Sequence, residues 1–127
     1  MIATEVKILV VEDENIVAMD IKCMLMKLGY DVLGVVSNGE HAVKQAEIMS
    51  PDLILMDIII KGSIDGIEAA CRIRTKFKIP IIFLTAHSDQ KTRQRAKMAE
   101  PNGYLLKPFH EAELDQVIKL SLGPKAN

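Results

Sequence analysis

The kind of apolar run this chain contains constrains its fold more than any other feature. Residues 6–11, 52–57 and 80–84 are dominated by unbroken apolar stretches, such as Ile8-Leu9-Val10-Val11 and Leu53-Ile54-Leu55-Met56. A strand with one wet face alternates apolar and polar residues. A strand that is apolar throughout is covered on both faces, as in a parallel sheet between two helical layers. Residues 31–36 and 103–106 read as two further strands. Longer amphipathic segments, 15–28, 37 to about 49, 65 to about 77, 89–98 and 111–122, read as helices. Five strands alternating with five helices, joined by right-handed crossovers, predict a doubly wound α/β domain. Ser37 followed by Glu40, and Asp65 followed by Glu68, carry the spacing of capping boxes; Gly29 and Pro51 end the preceding helices. A chain of 127 residues holds one such domain. It is expected over 5–122, with 123–127 as a tail.

Composition removes several functional classes. Lys and Arg number 16 against 17 Asp and Glu, a net charge of −1, which gives no electrostatic reason to expect direct nucleic-acid binding. No apolar run approaches the ~18 residues a membrane span needs. Residues 8–11 run straight into Glu12-Asp13-Glu14, unlike a secretory leader, so a cytoplasmic location is expected. Cys23 and Cys71 make neither a disulfide framework nor a zinc site, and His41 and His110 have no partner at metal spacing.

In a parallel sheet the carboxyl ends of the strands share one edge, where ligands bind. Glu12 and Asp13 end the first strand, Asp57 the third and Thr85 the fourth, and Lys107 follows the fifth. Each has an ordinary structural explanation: Asp13 as a helix cap, Asp57 as a loop cap, Thr85 as a turn residue, Lys107 as a solvated lysine. Together they are harder to explain so, because three clustered carboxylates repel unless a cation joins them. Three negative charges against one from Lys107 leave a deficit of two. Oxygen ligands without nearby His or Cys favour Mg²⁺. A site with Mg²⁺, an amine and a hydroxyl suits phosphoryl chemistry.

Val-Val-Glu-Asp-Glu at 10–14, Leu-Met-Asp at 55–57, Leu-Thr-Ala at 84–86 and Tyr-Leu-Leu-Lys-Pro-Phe at 104–109 resemble the receiver domain of two-component response regulators. The resemblance runs from about residue 6 to 122, and it, rather than the residue pattern, supplies a flavodoxin-like strand order of 2-1-3-4-5. It implies that Asp57 is the phosphoacceptor. It implies that Asp13, Asp57, Glu12 (through water) and the carbonyl of Ile59 serve a Mg²⁺ ion. Lys107 and Thr85 would stabilise the phosphoryl group, Thr85 and Tyr104 would form the switch, and the Lys107–Pro108 peptide would be cis. The implied partners are a sensor histidine kinase or histidine phosphotransfer protein and an output protein, with a phosphorylation-dependent homodimer among the outputs.

The loop after Asp57 departs from the commoner family pattern: it has no Met-Pro pair and carries one more residue before Gly66. Ile59 cannot hold a hydrolytic water, so a slow loss of the phosphoryl group is expected. His87, two residues after Thr85, is the other position that could tune that lifetime, although a solvated loop histidine is the favoured reading. Lys91, Arg93, Arg95 and Lys97 read as a solvated helix face. In the first helix, Val17, Ile21, Met24, Leu25 and Leu28 share the core face. Ile16, Met19, Cys23 and Met26 form a second apolar set, read as a docking surface for the phosphodonor together with Pro108 and Phe109. The expected function is therefore a signalling phosphoacceptor. A small Mg²⁺-dependent phosphohydrolase with Asp57 as nucleophile is the alternative, and a flavodoxin-like cofactor carrier is a third class, disfavoured by the acidic first loop.

Overall fold

The structure is a computed structural model that describes residues 5–86 and 89–123. Strands β1 (Lys7–Val11), β2 (Asp31–Val36), β3 (Leu53–Asp57), β4 (Ile81–Thr85) and β5 (Gly103–Leu106) alternate with helices α1 (Asn15–Lys27), α2 (Gly39–Met49), α3 (Gly66–Lys76), α4 (Gln90–Met98) and α5 (Glu111–Leu122). All strand pairs are parallel, in the order β2-β1-β3-β4-β5. The α/β doubly wound architecture expected from the unbroken apolar runs is the one observed.

The pleat sends successive strand residues to opposite faces, which divides the core in two. Ile8, Val10, Leu53, Leu55, Ile82 and Leu84 pack with Ile21 and Leu25 of α1 and with Leu114 and Ile118 of α5. Leu9, Val11, Ile54, Met56, Ile81 and Phe83 pack on the other side with Ala42 and Ala46 of α2, Ala70 and Ile73 of α3, and Ala96 of α4. Both faces of the three central strands are thus sealed, and only the two edges of the sheet running across the strand ends are left for chemistry.

The helix starts set aside one alternative and correct one expectation. Asp13 does not cap α1; Glu14 occupies the N-cap position, without a side-chain cap bond. Ser37 is not the cap of α2 either. Asn38 accepts from the His41 amide at 2.8 Å, because it is the residue one before the first helical turn. Glu40, released from capping, instead accepts from the Ser63 amide at 3.1 Å and so fastens the loop that follows Asp57. Asp65 does cap α3, accepting from Glu68 at 2.9 Å, but the Glu68 carboxylate turns outward to Arg72.

Gly66 is where the fold admits no side chain: a Cβ there would collide with the backbone carbonyl of Asp57. Close approach, not left-handed backbone, is what requires glycine. Gly34 lies in β2 with open space around the same position. Urea denaturation should therefore separate them. Gly66→Ala is expected to lose about 2–3 kcal/mol, the cost of forcing an atom into filled space, and Gly34→Ala to change by less than about 0.5 kcal/mol.

Candidate functional site

Strand register sets the site. Val11 pairs with Met56, Asp57 with Leu84 and Thr85 with Leu106, so the residues at and just beyond these ends converge. Backbone bonds continue the sheet one residue further: Glu12 N–H to Val36, Ile58 N–H to Leu84, and Lys107 N–H to Thr85. Glu12 is 2% exposed and Asp57 6%, burial that two carboxylates tolerate only with partners. Lys107 supplies it. Its Nζ donates to Glu12 Oε1 at 2.8 Å and to Asp57 Oδ2 at 3.0 Å. The Glu14 amide donates to Glu12 Oε2 at 3.2 Å, and the Ile59 amide to Asp57 Oδ1 at 3.3 Å.

One cation does not balance this site. Burial, and then the charge of Glu12 against the opposing pull of Lys107, pushes the Asp57 carboxyl up to about 6. Desolvation works against the Lys107 ammonium, but its bonds to Glu12 and Asp57 outweigh that and raise its pKa. Carboxylate oxygens of Glu12, Asp13 and Asp57 all lie within 4.8 Å of one another. Asp13 and Asp57 border a cleft of about 480 Å³ whose wall also includes Thr85 and Lys107.

The sequence model of the response regulator receiver domain matches residues 8–119. The chain belongs to this family. The receiver is 39% identical over 116 residues to the transcriptional regulatory protein PdtaR of Mycobacterium tuberculosis, covering 91% of this chain and 56% of that protein. It spans about half the length of the curated relatives it matches. Among solved structures, it superposes on the signal receiver domain of a modulated diguanylate cyclase from Desulfovibrio desulfuricans with TM-score 0.89 and 42% identity, covering 94% of each chain. It also superposes on the receiver domain of the sensor histidine kinase PA1611 from Pseudomonas aeruginosa, with TM-score 0.87 and 38% identity, over 95% of this chain and all of that one. That structure has a magnesium ion coordinated in its active-site cleft.

The donor set of this receiver fits such an ion. Among the described residues, hard carboxylate oxygens cluster without nitrogen or sulfur ligands, and the site is short of positive charge. Ile59 follows the cluster with its side chain exposed and its backbone against Asp57.

The remaining candidates extend from the acidic cleft into its surroundings. Thr85 is buried and lines both that cleft and a second one, of about 460 Å³, beside Tyr104 and Pro108. Tyr104 is 40% exposed, its ring 6.1 Å from that of Phe83. Ile16, Met19 and Cys23 line an apolar groove with Pro108 and Phe109 that reaches Lys107. Met26 is exposed but borders a separate hollow near Tyr30, so the second apolar set of α1 does not form one surface. His87 lies outside the described residues. Lys61, unremarked in the sequence pattern, lines the acidic cleft. Arg95, read as part of a solvated basic face, pairs with Asp65 at 2.8 Å. No helix among the described residues is long and apolar enough to cross a membrane.

For a carboxyl whose pKa is raised on folding, the folded state binds the proton more tightly than the unfolded chain. Its ionised form then counts against stability, increasingly from about pH 4 to pH 6 and fully above. In chelator at pH 7.5, Asp57→Asn should therefore stabilise the fold by about 1–3 kcal/mol. Added Mg²⁺ should raise the unfolding midpoint of the wild type and move that of the variant far less. Urea midpoints with EDTA and with Mg²⁺ check both.

Proposed function

We propose that the chain is the phosphoacceptor receiver of a two-component phosphorelay, with Asp57 as the residue that takes the phosphoryl group from a phosphohistidine. The observation that carries this reading is the buried Asp57 carboxylate at the open end of β3, 3.0 Å from the Lys107 ammonium and within 4.8 Å of two further carboxylates. An Asp57 oxygen attacks phosphorus as the phosphorus–nitrogen bond of the donor histidine breaks, and the histidine leaves with its electron pair. Lys107 meets the charge on the transferred oxygens, and the Thr85 hydroxyl donates to one of them. Mg²⁺, held by Glu12, Asp13, Asp57 and the Ile59 carbonyl, would supply further charge neutralisation on those oxygens. The chain catalyses its own phosphorylation and loss of phosphate, not turnover of a separate substrate.

The acyl phosphate carries roughly −2 charge where a single carboxylate stood. Thr85 answers it by moving toward the acidic cleft. Because the same residue borders the second cleft, its movement opens room there for the Tyr104 ring. The face made by α4, β5 and α5 then changes, and with it the affinity for an output protein, a second copy of the chain included. Ile59, apolar and exposed, lends no hydrogen bond to an attacking water, which favours a long-lived phosphoryl group; His87 is the second position proposed to tune that lifetime.

Acetyl phosphate with Mg²⁺ should add one phosphoryl group by intact mass, and Asp57→Asn should abolish it. Labelling of the variant at the wild-type rate would defeat the reading.

The groove of Ile16, Met19 and Cys23 beside Pro108 and Phe109 is the proposed seat of the phosphodonor, because it is apolar, exposed and opens onto Lys107. Met19 is 56% exposed. Met19→Glu should slow transfer from the donor protein at least about tenfold, equivalent to ~1.4 kcal/mol. It should leave acetyl phosphate labelling and the thermal midpoint unchanged. A large fall in the midpoint would instead make Met19 part of the core.

A further inference from the structure

The loop between Asp57 and α3 brings a second lysine to the acidic cleft. Ile58, Ile60 and Ile64 are buried in the α2–α3 side of the core, which anchors the loop on both sides of Lys61. The Lys61 backbone bridges to Asn38, and the next turn, with Gly62 at φ 112°, is fastened where the Ser63 amide donates to Glu40. Lys61 is thereby held on the outward side of a pinned segment, exposed, along the wall of the cleft that contains Asp57.

The two lysines of the cleft are in different situations. Lys107 is engaged with Glu12 and Asp57, at 2.8 and 3.0 Å. Among the described residues, the ion pairs formed leave Lys61 out. A phosphodonor approaching the cleft brings at least two negative charges toward a site that already contains Glu12, Asp13 and Asp57. Without a metal, Lys107 alone opposes that repulsion. A flexible ammonium at the mouth, not committed to a carboxylate, is free to meet the outer oxygens of the phosphoryl group.

We infer that Lys61 contacts the incoming phosphoryl group at the mouth of the cleft and raises the rate at which anionic phosphodonors engage Asp57. This rests on the reading of Asp57 as phosphoacceptor. Lys61 keeps its proton throughout: with acetyl phosphate, the bond from Asp57 oxygen to phosphorus forms, the phosphorus–oxygen bond to acetate breaks, and acetate leaves as the anion. The contact is made in the approach of the donor as well as in transfer, so its loss should fall on KM more than on kcat.

The test is acetyl phosphate labelling with saturating Mg²⁺, followed by intact mass over time at low and high salt. Lys61→Ala should raise KM about three- to tenfold at low ionic strength, a gap that closes toward unity at about 0.5 M salt as exposed charges are screened. Lys61→Arg should keep most of the wild-type rate, Lys61→Glu should be slower than Lys61→Ala, and all three should melt with the wild type. Equal rates for wild type and Lys61→Ala at low salt, or a deficit that salt does not reduce, would overturn the inference while leaving Asp57 as phosphoacceptor. A wild-type chain that takes no phosphoryl group would overturn both.

Discussion

Two carboxylates, Glu12 and Asp57, are held almost out of water at the end of the sheet by a single ammonium. The arrangement follows from parallel topology, since β1, β3 and β5 all end on one edge and their next residues have nowhere else to go. Lys107 joins the ends of three strands, and its bonds span 95 and 50 residues of sequence. Burying charge in this way is expensive, and pairs of this kind contribute little net stability. What they provide here is an unbalanced site, with Asp57 pushed toward its neutral form and Asp13 beside it, whose donors suit a cation.

The two sides of the site are built differently. Toward α2 and α3, the loop after Asp57 is pinned by three buried isoleucines, by Glu40, and by Gly66 seated on the Asp57 carbonyl. Toward α4 and α5, Thr85 borders two clefts, and Tyr104 is partly exposed. The Asp65–Arg95 pair ties the cap of α3 to α4 across this division. Its partners are well exposed, so it constrains geometry more than it adds stability. The similar solved structures include the receiver domains of a modulated diguanylate cyclase and of a sensor histidine kinase, so the same fold occurs in proteins of different kinds.

Much of this was legible in the chain itself. Unbroken apolar runs predicted covered strands, and residues 103–106 and 111–122 were placed to the residue. The motifs at 10–14, 55–57, 84–86 and 104–109 named the acids, the hydroxyl and the lysine, because a parallel sheet converts the end of each strand into the same place in space. Local signals failed where a side chain had a choice of partner. Glu40 has the spacing of a capping-box residue after Ser37, yet Asn38 caps the helix and Glu40 holds Ser63, 23 residues away. Arg95 has the pattern of a solvated helix face, yet it reaches Asp65.

The sequence by itself determined the layers, the convergence of three acids with a hydroxyl and an amine, and the family. Those follow from periodicity and from motif order, which are properties of neighbouring residues. The tertiary structure alone decided that Lys107 faces both Glu12 and Asp57, that Thr85 borders two clefts, that Met26 lies apart from Ile16, Met19 and Cys23, and that Lys61 stands at the cleft. Each of these depends on how the crossovers and loops bring distant segments together, and the position of a long flexible side chain is set by the surfaces packed around its base rather than by its neighbours in the chain.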